Sequence, residues 1–356
     1  MNICILGQYP PQIGGIATYT KQVKEYLESK GHNVYILTYS SNINRDKNVY
    51  EVNVINIPIL RGISFIFRAK KILKKIIHEH DIDIVHSNYI IPPGLVSSLV
   101  KEDNVKSVTT VHGSDINILP NNKLLRPIIK YVLKNMDEVY FVSEELYKKA
   151  LDLNIPNLKE KSVITPNKVN INKFKPIDED KKTLKDKYSE PIVIFIGNLV
   201  EQKGLKYLLE AKKISKSKYT LLIYGDGPKK EELEKYILEN KLTNTYLMGK
   251  TSTPEKIIPE SDIMILPSIS EGASIVALES MSCEKPLIST DTGNISKVIT
   301  NNENGIIVPV KNPEKLRNAI DNLVSKPELR KKIGKSAREL IVKKYSKIEI
   351  PYLNEQ

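Results

Sequence analysis

Two glutamates stand eight residues apart in a segment that suits a loop followed by a helix. Glu271 lies in the loop, and Glu279 lies more than one turn inside the helix that we predict to begin near Ser274. Between them, the N–H groups of Gly272, Ala273 and Ser274 would offer an anion site at the positive end of the helix. This spacing predicts sugar and ribose hydroxyls on the two carboxylates, with phosphates in the middle. In the alternative interpretation, Glu271 only favours the helix end and Glu279 is a solvated helix residue.

Four further residues follow predicted strands and could bind anions or sugars. Lys203 ends a polar loop and offers an ammonium for a diphosphate, although a lone lysine is usually an ordinary solvated residue. His112 can hydrogen-bond a phosphate or sugar oxygen, or it only ties its own loop. Gly14 and Gly15 begin a helix and let an anion approach the backbone, and a plain turn explains them equally well. Their spacing matches neither a dinucleotide fingerprint nor a Walker A loop, which disfavours ordinary NAD or ATP chemistry.

Short β-branched runs alternate with amphipathic runs, which predicts βαβ units and parallel sheets. The first series of strands is Asn2 to Leu6, Asn33 to Thr38, Val52 to Ile57, Ile82 to His86, Lys106 to Val111, Glu138 to Val142 and Ser162 to Thr165. The second series is Pro191 to Ile196, Tyr219 to Tyr224, Thr245 to Met248, Asp262 to Leu266, Pro286 to Ser289 and Gly305 to Val308. A charged stretch between them predicts an N-terminal domain at 1–172, a linker at 173–190 and a C-terminal domain at 191–356.

The composition limits the class of protein. With 356 residues, 40% hydrophobic and 27% charged, the chain suits two soluble domains and not a disordered or membrane-embedded protein. Its apolar runs are far shorter than the roughly 18 residues of a membrane span, and its first residues suit a strand better than a signal peptide. Cys4 and Cys283 are too few for a disulfide framework, so we expect a cytoplasmic protein. The net charge of +12 favours polyanionic partners of any kind.

Several motifs occur in one order along nearly the whole chain. They are Gly14-Gly15, His112 to Asp115, Pro166-Asn167, Gly197 to Gly204, Tyr224 to Pro228 and, above all, Glu271 to Glu279. Together they resemble glycosyltransferase family 4, whose Glu-x7-Glu motif the last segment matches. The resemblance implies the α/β GT-B fold, with two Rossmann-like, doubly wound parallel-sheet domains facing a central cleft and a last helix that packs back on the N-terminal domain. It implies a retaining hexosyltransferase that uses a nucleotide-sugar to build cell-surface glycan or glycolipid.

The resemblance also assigns roles to residues. Catalytic roles fall to His112 near the transferred sugar, to Lys203 on the diphosphate and to Glu271 on the sugar hydroxyls. The donor-binding positions are Gly14, Gly15, Gly272, Ala273 and Ser274 near the phosphates, Asn198 beside Lys203, Glu279 on the ribose, and Met248, Gly249 and Lys250 near the base. Family members usually need no divalent metal, so neither a metal nor another cofactor is expected.

Three positions depart from the family pattern. Asn198 stands where a basic residue commonly pairs with the lysine, so one of two phosphate-neutralising charges is missing. Lys168 replaces the usual glycine after Pro166-Asn167, and Lys297 stands where the family often has glutamate. We therefore expect reduced donor affinity or reduced assistance to the leaving group.

Two predicted helices, Ile66 to His80 and Leu124 to Lys134, are rich in basic residues. They favour peripheral contact with the anionic inner face of a membrane that carries a lipid-linked acceptor, and a solvated face is the equally weighted alternative. A glycan or small-molecule acceptor stays open. So do three other functions: a nucleotide-sugar epimerase, a non-enzymatic sugar- or nucleotide-binding protein, and a nucleic-acid binder. Only the charge suggests the last, because no zinc, homeodomain or RNP motif is present.

Overall fold

The computed structural model describes residues 1–41, 48–55, 57, 60–178, 183–188 and 191–353. They fold into two compact units, each with its own parallel sheet. The first unit consists of Met1–Pro166 and Glu349–Gln356, and the second consists of Asn167–Ile348. The predicted α/β fold class, with two parallel-sheet domains, is therefore confirmed.

The described residues of the first unit form a seven-stranded sheet. Its strands are β1 Asn2–Leu6, β2 Asn33–Tyr39, β3 Val49–Val52, β4 Ile84–Asn88, β5 Lys106–Val111, β6 Glu138–Phe141 and β7 Ser162–Ile164. All neighbours are parallel, in the order β3-β2-β1-β4-β5-β6-β7. Six strands agree with the prediction to within two residues. The third strand, β3, lies earlier than the predicted 52–57, because its last residue, Val52, pairs with Tyr39 at the end of β2. Asn56 of the predicted run lies outside the described residues.

Helices connect these strands. The α-helices are α1 Gly15–Ser29, α2 Leu60–Glu79, α3 Leu95–Leu99, α4 Ser114–Asn117, α5 Leu125–Asn135 and α6 Glu144–Leu151, with a π turn at Ile90–Gly94 and a 3₁₀ turn at Leu119–Asn121. α2 begins six residues before the predicted start. Its first turn is tied to the preceding chain, because Ser64 Oγ accepts a hydrogen bond from Ile55 N at 3.0 Å. Phe65, Ala69 and Leu73 then form its buried stripe.

The second unit repeats this plan. Its strands are β8 Ile192–Ile196, β9 Thr220–Tyr224, β10 Thr245–Gly249, β11 Ile263–Leu266, β12 Leu287–Thr290 and β13 Ile306–Val308. Its helices are α7 Leu184–Lys187, α8 Leu205–Ile214, α9 Lys230–Glu239, α10 Pro254–Ile257, α11 Ile275–Ser282, α12 Ile295–Val298, α13 Pro313–Ser325 and α14 Pro327–Lys344, with 3₁₀ turns at Glu201–Lys203 and Ile258–Glu260. The parallel order is β10-β9-β8-β11-β12-β13. In each sheet the strand order reverses beside the first strand, and ligands of such sheets bind beyond the carboxyl ends at that point.

The boundary between the units differs from the predicted one at 172. Val169 and Phe174 are buried in the core of the second unit, and Val169 N donates to Tyr345 O at 2.9 Å. These apolar contacts give residues 167–172 to the second unit, although the sequence groups them with the first. Phe174, at the start of the predicted linker 173–190, already belongs to that core.

The end of the chain belongs to the first unit. The last long helix, α14, packs in the second core through Ile333, Ala337 and Ile341, so the predicted return of the last helix is instead made by a 3₁₀ turn at Pro351–Leu353. Tyr352 is buried there, and its hydroxyl lies 3.3 Å from His86 Nδ1. No described helix is both long and apolar enough to cross a membrane.

Candidate active site

Two loops meet at the reversal point of the second sheet. One follows β8 and ends at Gly204, and the other follows β11 and begins at Pro267. Gly204 adopts a left-handed φ of 63°, and a Cβ there would lie 2.1 Å from Pro267 O. Ile269 N donates to Gln202 O at 2.7 Å. Only glycine permits this approach, and it brings the side chain of Lys203 beside the second loop.

Lys203 and Glu271 form an ion pair across these loops. Ser268 Oγ donates to the same carboxylate oxygen, Oε1, at 3.0 Å. Both charged side chains are partly buried, and Ser268 is fully buried. Thr290 Oγ1 donates to Ser268 O at 2.5 Å and holds this turn from β12. The structure thus brings together two of the three predicted catalytic residues, and it excludes the interpretation of Lys203 as an ordinary solvated lysine.

The next residues carry a run of backbone N–H groups, which we call the amide triplet: Gly272, Ala273 and Ser274. Gly272 O accepts from Asn294 N at 3.2 Å, and Ala273 O accepts from Asn167 Nδ2 at 2.9 Å. Within the described ranges, no acceptor is hydrogen-bonded to the three N–H groups themselves. Ser274 also caps α11, since its Oγ accepts from Ala277 N. The three N–H groups are therefore available to a further acceptor.

Glu279 lies inside α11 and is only 2% exposed. Burial raises the pKa of its carboxyl to about 8, and Glu255 raises it further while Lys173 opposes both. This placement excludes the interpretation of Glu279 as a solvated helix residue. A carboxyl held in its neutral form can donate as well as accept a hydrogen bond.

The remaining donor-binding positions of this unit lie in other loops. Asn198 is exposed, and the turn around it is fixed by a hydrogen bond from Leu199 N to Asp226 O at 2.9 Å. Met248 and Gly249 end the edge strand β10, which β9 separates from β8. Lys250 follows and pairs with Asp226 at 3.3 Å. Tyr188 stacks at an angle on Tyr246 of β10, with ring centroids 5.3 Å apart, and so adds an aromatic surface that the sequence reading missed.

The two lysines that depart from the family pattern lie on other parts of the second unit. Lys168 Nζ donates to Lys344 O at 3.1 Å, at the end of α14. Lys297 is exposed on α12.

In the first unit, the loop after β1 leads through Gly14 into α1 at Gly15. A Cβ on Gly15 would meet no heavy atom within 4 Å, so there is space for a ligand at this backbone. Gly7, at the end of β1, lies against Asn88 at the end of β4, which marks the reversal point of this sheet.

His112 follows β5 and lies at the same reversal point of the first sheet. Its Nε2 lies 3.4 Å from Asn88 Oδ1, and its ring meets Tyr19 edge-on with centroids 4.8 Å apart. The N–H groups of His112 and Gly113 donate to the buried Asp115 carboxylate at 3.1 and 2.7 Å. Burial, with a smaller effect of His86, lowers the pKa of the His112 imidazole to about 3, so it is neutral near pH 7. Asn88 was not predicted, although the end of β4 is a position that the strand order marks, and Asp115 was singled out only as part of the motif His112 to Asp115.

Comparisons with known proteins agree along nearly the whole chain. Residues 13–173 match the model described as Glycosyltransferase Family 4, and residues 176–340 match Glycosyl transferases group 1. An uncharacterised glycosyltransferase of Methanocaldococcus jannaschii is 33% identical over 97% of this chain and 94% of its own. The N-acetyl-alpha-D-glucosaminyl L-malate synthase of Bacillus anthracis is 26% identical over 94% and 91%. The HepE protein of Anabaena, crystallised with UDP-glucose, is 16% identical and covers 97% of this chain and 95% of its own with a TM-score of 0.81.

Proposed function

The chain belongs to glycosyltransferase family 4, and from that premise we propose that it moves a hexose-type sugar from a nucleoside diphosphate to an acceptor hydroxyl with retention of anomeric configuration. The observation that carries this proposal is the Lys203–Glu271 pair followed at once by the amide triplet. A cation and several N–H donors adjoin a carboxylate there, which is the set that a sugar diphosphate requires.

The bond between the anomeric carbon and the diphosphate oxygen breaks, so negative charge develops on the leaving group. Lys203 and the amide triplet stabilise that charge because they are held in place before the reaction. Glu271 accepts hydrogen bonds from the sugar hydroxyls, which compete with Lys203 for its oxygens. The acceptor oxygen bonds to the anomeric carbon on the face that the phosphate leaves, and its proton passes to the departing phosphate oxygen.

We propose the roles of the other predicted residues from the family resemblance. Glu279 hydrogen-bonds the ribose, the end of β10 with Met248, Gly249 and Lys250 holds the base, and Gly15 offers its amide to phosphate. His112, neutral and anchored by Asp115, hydrogen-bonds the transferred sugar as a donor or acceptor. We propose that no metal takes part, and equal transfer rates with EDTA and with added magnesium are the expected result.

The test is a thermal-shift screen of UDP- and GDP-sugars followed by product analysis. A bound donor raises the unfolding temperature by mass action. Transfer then has to appear only when an acceptor is added. A changed sugar released from donor alone would support the epimerase instead, and stabilisation by a donor without any turnover would support the sugar-binding protein. Stabilisation by no sugar nucleotide would refute the proposal.

We further propose that the acceptor is lipid-linked and is met at an anionic membrane. Leu60, Ile63 and Phe67 lie on one outward side of α2 and are exposed, Phe67 by 72%. The same helix carries six basic residues and one acidic one: Arg61, Arg68, Lys70, Lys71, Lys74, Lys75 and Glu79. Exposed apolar residues beside lysines suit the interface of an anionic bilayer.

Helix α9 offers a matched control for this surface. Leu238 there is 77% exposed, but the helix carries four glutamates and two lysines. We expect the protein to sediment with phosphatidylglycerol vesicles at low salt, much less at high salt, and not with phosphatidylcholine. Phe67→Glu should reduce sedimentation several-fold, whereas Leu238→Glu should not. Equal sedimentation of the Phe67 variant and the unaltered protein would contradict this partner.

A further inference from the structure

Asn167 reaches the amide triplet from far along the chain. It is 4% exposed, and its Nδ2 donates to Ala273 O across 106 residues of sequence. The orientation of its amide is settled by this contact, because the reverse orientation would set an oxygen against the carbonyl. In the sequence, Pro166-Asn167 is recognisable only as a motif, and no role was predicted for Asn167.

This hydrogen bond fixes the direction of one N–H group of the triplet. In a planar trans peptide the C=O and the following N–H point in opposite directions, and the bond between Ala273 and Ser274 is not among the cis bonds of the described chain. Holding Ala273 O therefore aims the N–H of Ser274 away from Asn167. Asn294 N does the same for the preceding peptide, since it holds Gly272 O and so aims the N–H of Ala273.

The placement of Asn167 carries an energetic penalty. Its Oδ1 is buried and has no hydrogen-bond partner among the described residues. A buried acceptor without a partner destabilises the folded state. The side chain therefore satisfies the loop carbonyl at the expense of its own oxygen, which is unusual for a residue that only fills the core.

Asn167 also stands where the chain passes into the second unit. Pro166 is the last residue of the first long segment, and Val169 is already fixed to Tyr345 O in the second unit. Asn167, which orients the amide triplet, is thus the first residue of the second unit after the chain leaves the first.

We propose that Asn167 is a positioning residue, which aims the Ser274 N–H at the donor diphosphate by holding the Ala273 carbonyl. This inference rests on the proposed function and adds to it a residue that touches no substrate. Losing one oriented donor should weaken binding of the diphosphate, which is already charged before the reaction, and should lower kcat much less, because Lys203 and the other two N–H groups still meet the charge that develops on the leaving group.

The test compares Asn167→Ala with Asn304→Ala. Asn304 is a buried asparagine of the same unit whose Nδ2 also donates to a backbone carbonyl, that of Val298, in a turn outside the site. UDP affinity is measured by calorimetry, donor KM and kcat by initial rates, and folding by circular dichroism. We expect Asn167→Ala to weaken UDP binding and to raise donor KM about tenfold, with kcat within about threefold of the unaltered enzyme. Asn304→Ala should lose only thermal stability.

A UDP affinity of Asn167→Ala within twofold of the unaltered protein would overturn the inference, as would an equal loss in both variants. If the alanine variant does not fold, Asn167→Gln, which keeps the amide but displaces it by one methylene, is judged by the same criterion. If the unaltered protein binds neither UDP nor GDP, the proposed function fails and the inference about Asn167 falls with it, whereas a loss that is absent from Asn167→Ala in a protein that binds one of them refutes the inference alone.

Discussion

The loop around Glu271 and the helix around Glu279 place the same side chain in opposite surroundings, eight residues apart. Glu271 is held by the charge of Lys203 and by the hydroxyl of Ser268. Glu279 is held by burial, which raises the pKa of its carboxyl to about 8. The change occurs at Ser274, where the loop becomes α11.

This difference shows how one motif can supply two kinds of ligand contact. A loop carboxylate paired with a lysine can exchange that partner for a substrate hydroxyl. A helix carboxyl among apolar neighbours is fixed in direction, and its protonated form is favoured over the charged form. The loop is thus suited to the reacting sugar, and the helix to a part of the donor that does not react.

The largest effect is expected at the charged end. Glu271→Gln should lower the rate of transfer by two to three orders of magnitude, about what the loss of one preorganised transition-state contact costs. Whichever of UDP and GDP binds the unaltered protein should bind this variant equally well or a few-fold better, because Lys203 loses its competing partner. Rates and calorimetry measure the two effects.

Glu201→Gln is the control for that variant. Glu201 lies in the same 3₁₀ turn as Lys203 but pairs with Lys229 at 2.9 Å. Its transfer rate should stay within about twofold. A Glu271 variant that keeps full activity would remove the distinction between the two carboxylates.

The second effect tests the backbone that brings the loops together. Gly204→Ala would set a Cβ 2.1 Å from Pro267 O at a positive φ, so the loop with Glu271 must shift. We expect transfer to fall at least about a hundredfold. Gly31→Ala has a similar φ of 83° with open space around it and should lose stability only. Equal activities of the two variants would show that the close approach does not matter.

The third effect is a pH dependence of stability that distinguishes the buried carboxyl of Glu279 from the carboxylate of Glu271. Between its ordinary value near 4.5 and about 8, the folded protein keeps a proton on Glu279 that the unfolded chain has lost. The contribution of Glu279 to stability is therefore present at low pH and lost as the pH rises towards 8. Relative to the unaltered protein, Glu279→Gln should gain unfolding temperature steadily from pH 5 to pH 8. A difference that is constant across this range would contradict the assignment.

The smallest effect concerns the orientation of the charged end. Ser268→Ala removes the hydroxyl from Glu271 Oε1 and leaves Lys203 in place. We expect kcat to fall about fivefold to tenfold, as for one hydrogen bond to a charged group, with UDP affinity unchanged. Ser280→Ala removes a comparable buried hydroxyl from Ala277 O and is the control. Identical kcat values for the two variants would remove Ser268 from the site.

The sequence alone predicted the parallel sheets and the loops after β8 and β11. The family resemblance gave Lys203 and Glu271 roles on one donor, but the pairing of the two side chains was not predicted. The apolar runs of β8 and β11 and the glycines after them are local signals. They locate the loops before any tertiary contact is known.

The contacts that orient the site were not predicted, because they join distant segments. Asn167 meets Ala273 across 106 residues, and Asn294 meets Gly272 through a loop after another strand. The burial of Glu279 also has no local signal, since a single glutamate in an apolar helix can face either way. The boundary at Pro166 was not predicted for the same reason. Only the folded structure shows that Val169 and Phe174 are buried in the core of the second unit.

The most direct test of the central claim is calorimetric titration of UDP and GDP into the unaltered protein and into Lys203→Gln. If the Lys203–Glu271 loop holds the diphosphate, one of the nucleotides should bind the unaltered protein and should bind the variant at least about tenfold more weakly. Equal affinity of the two proteins for that nucleotide would contradict the account.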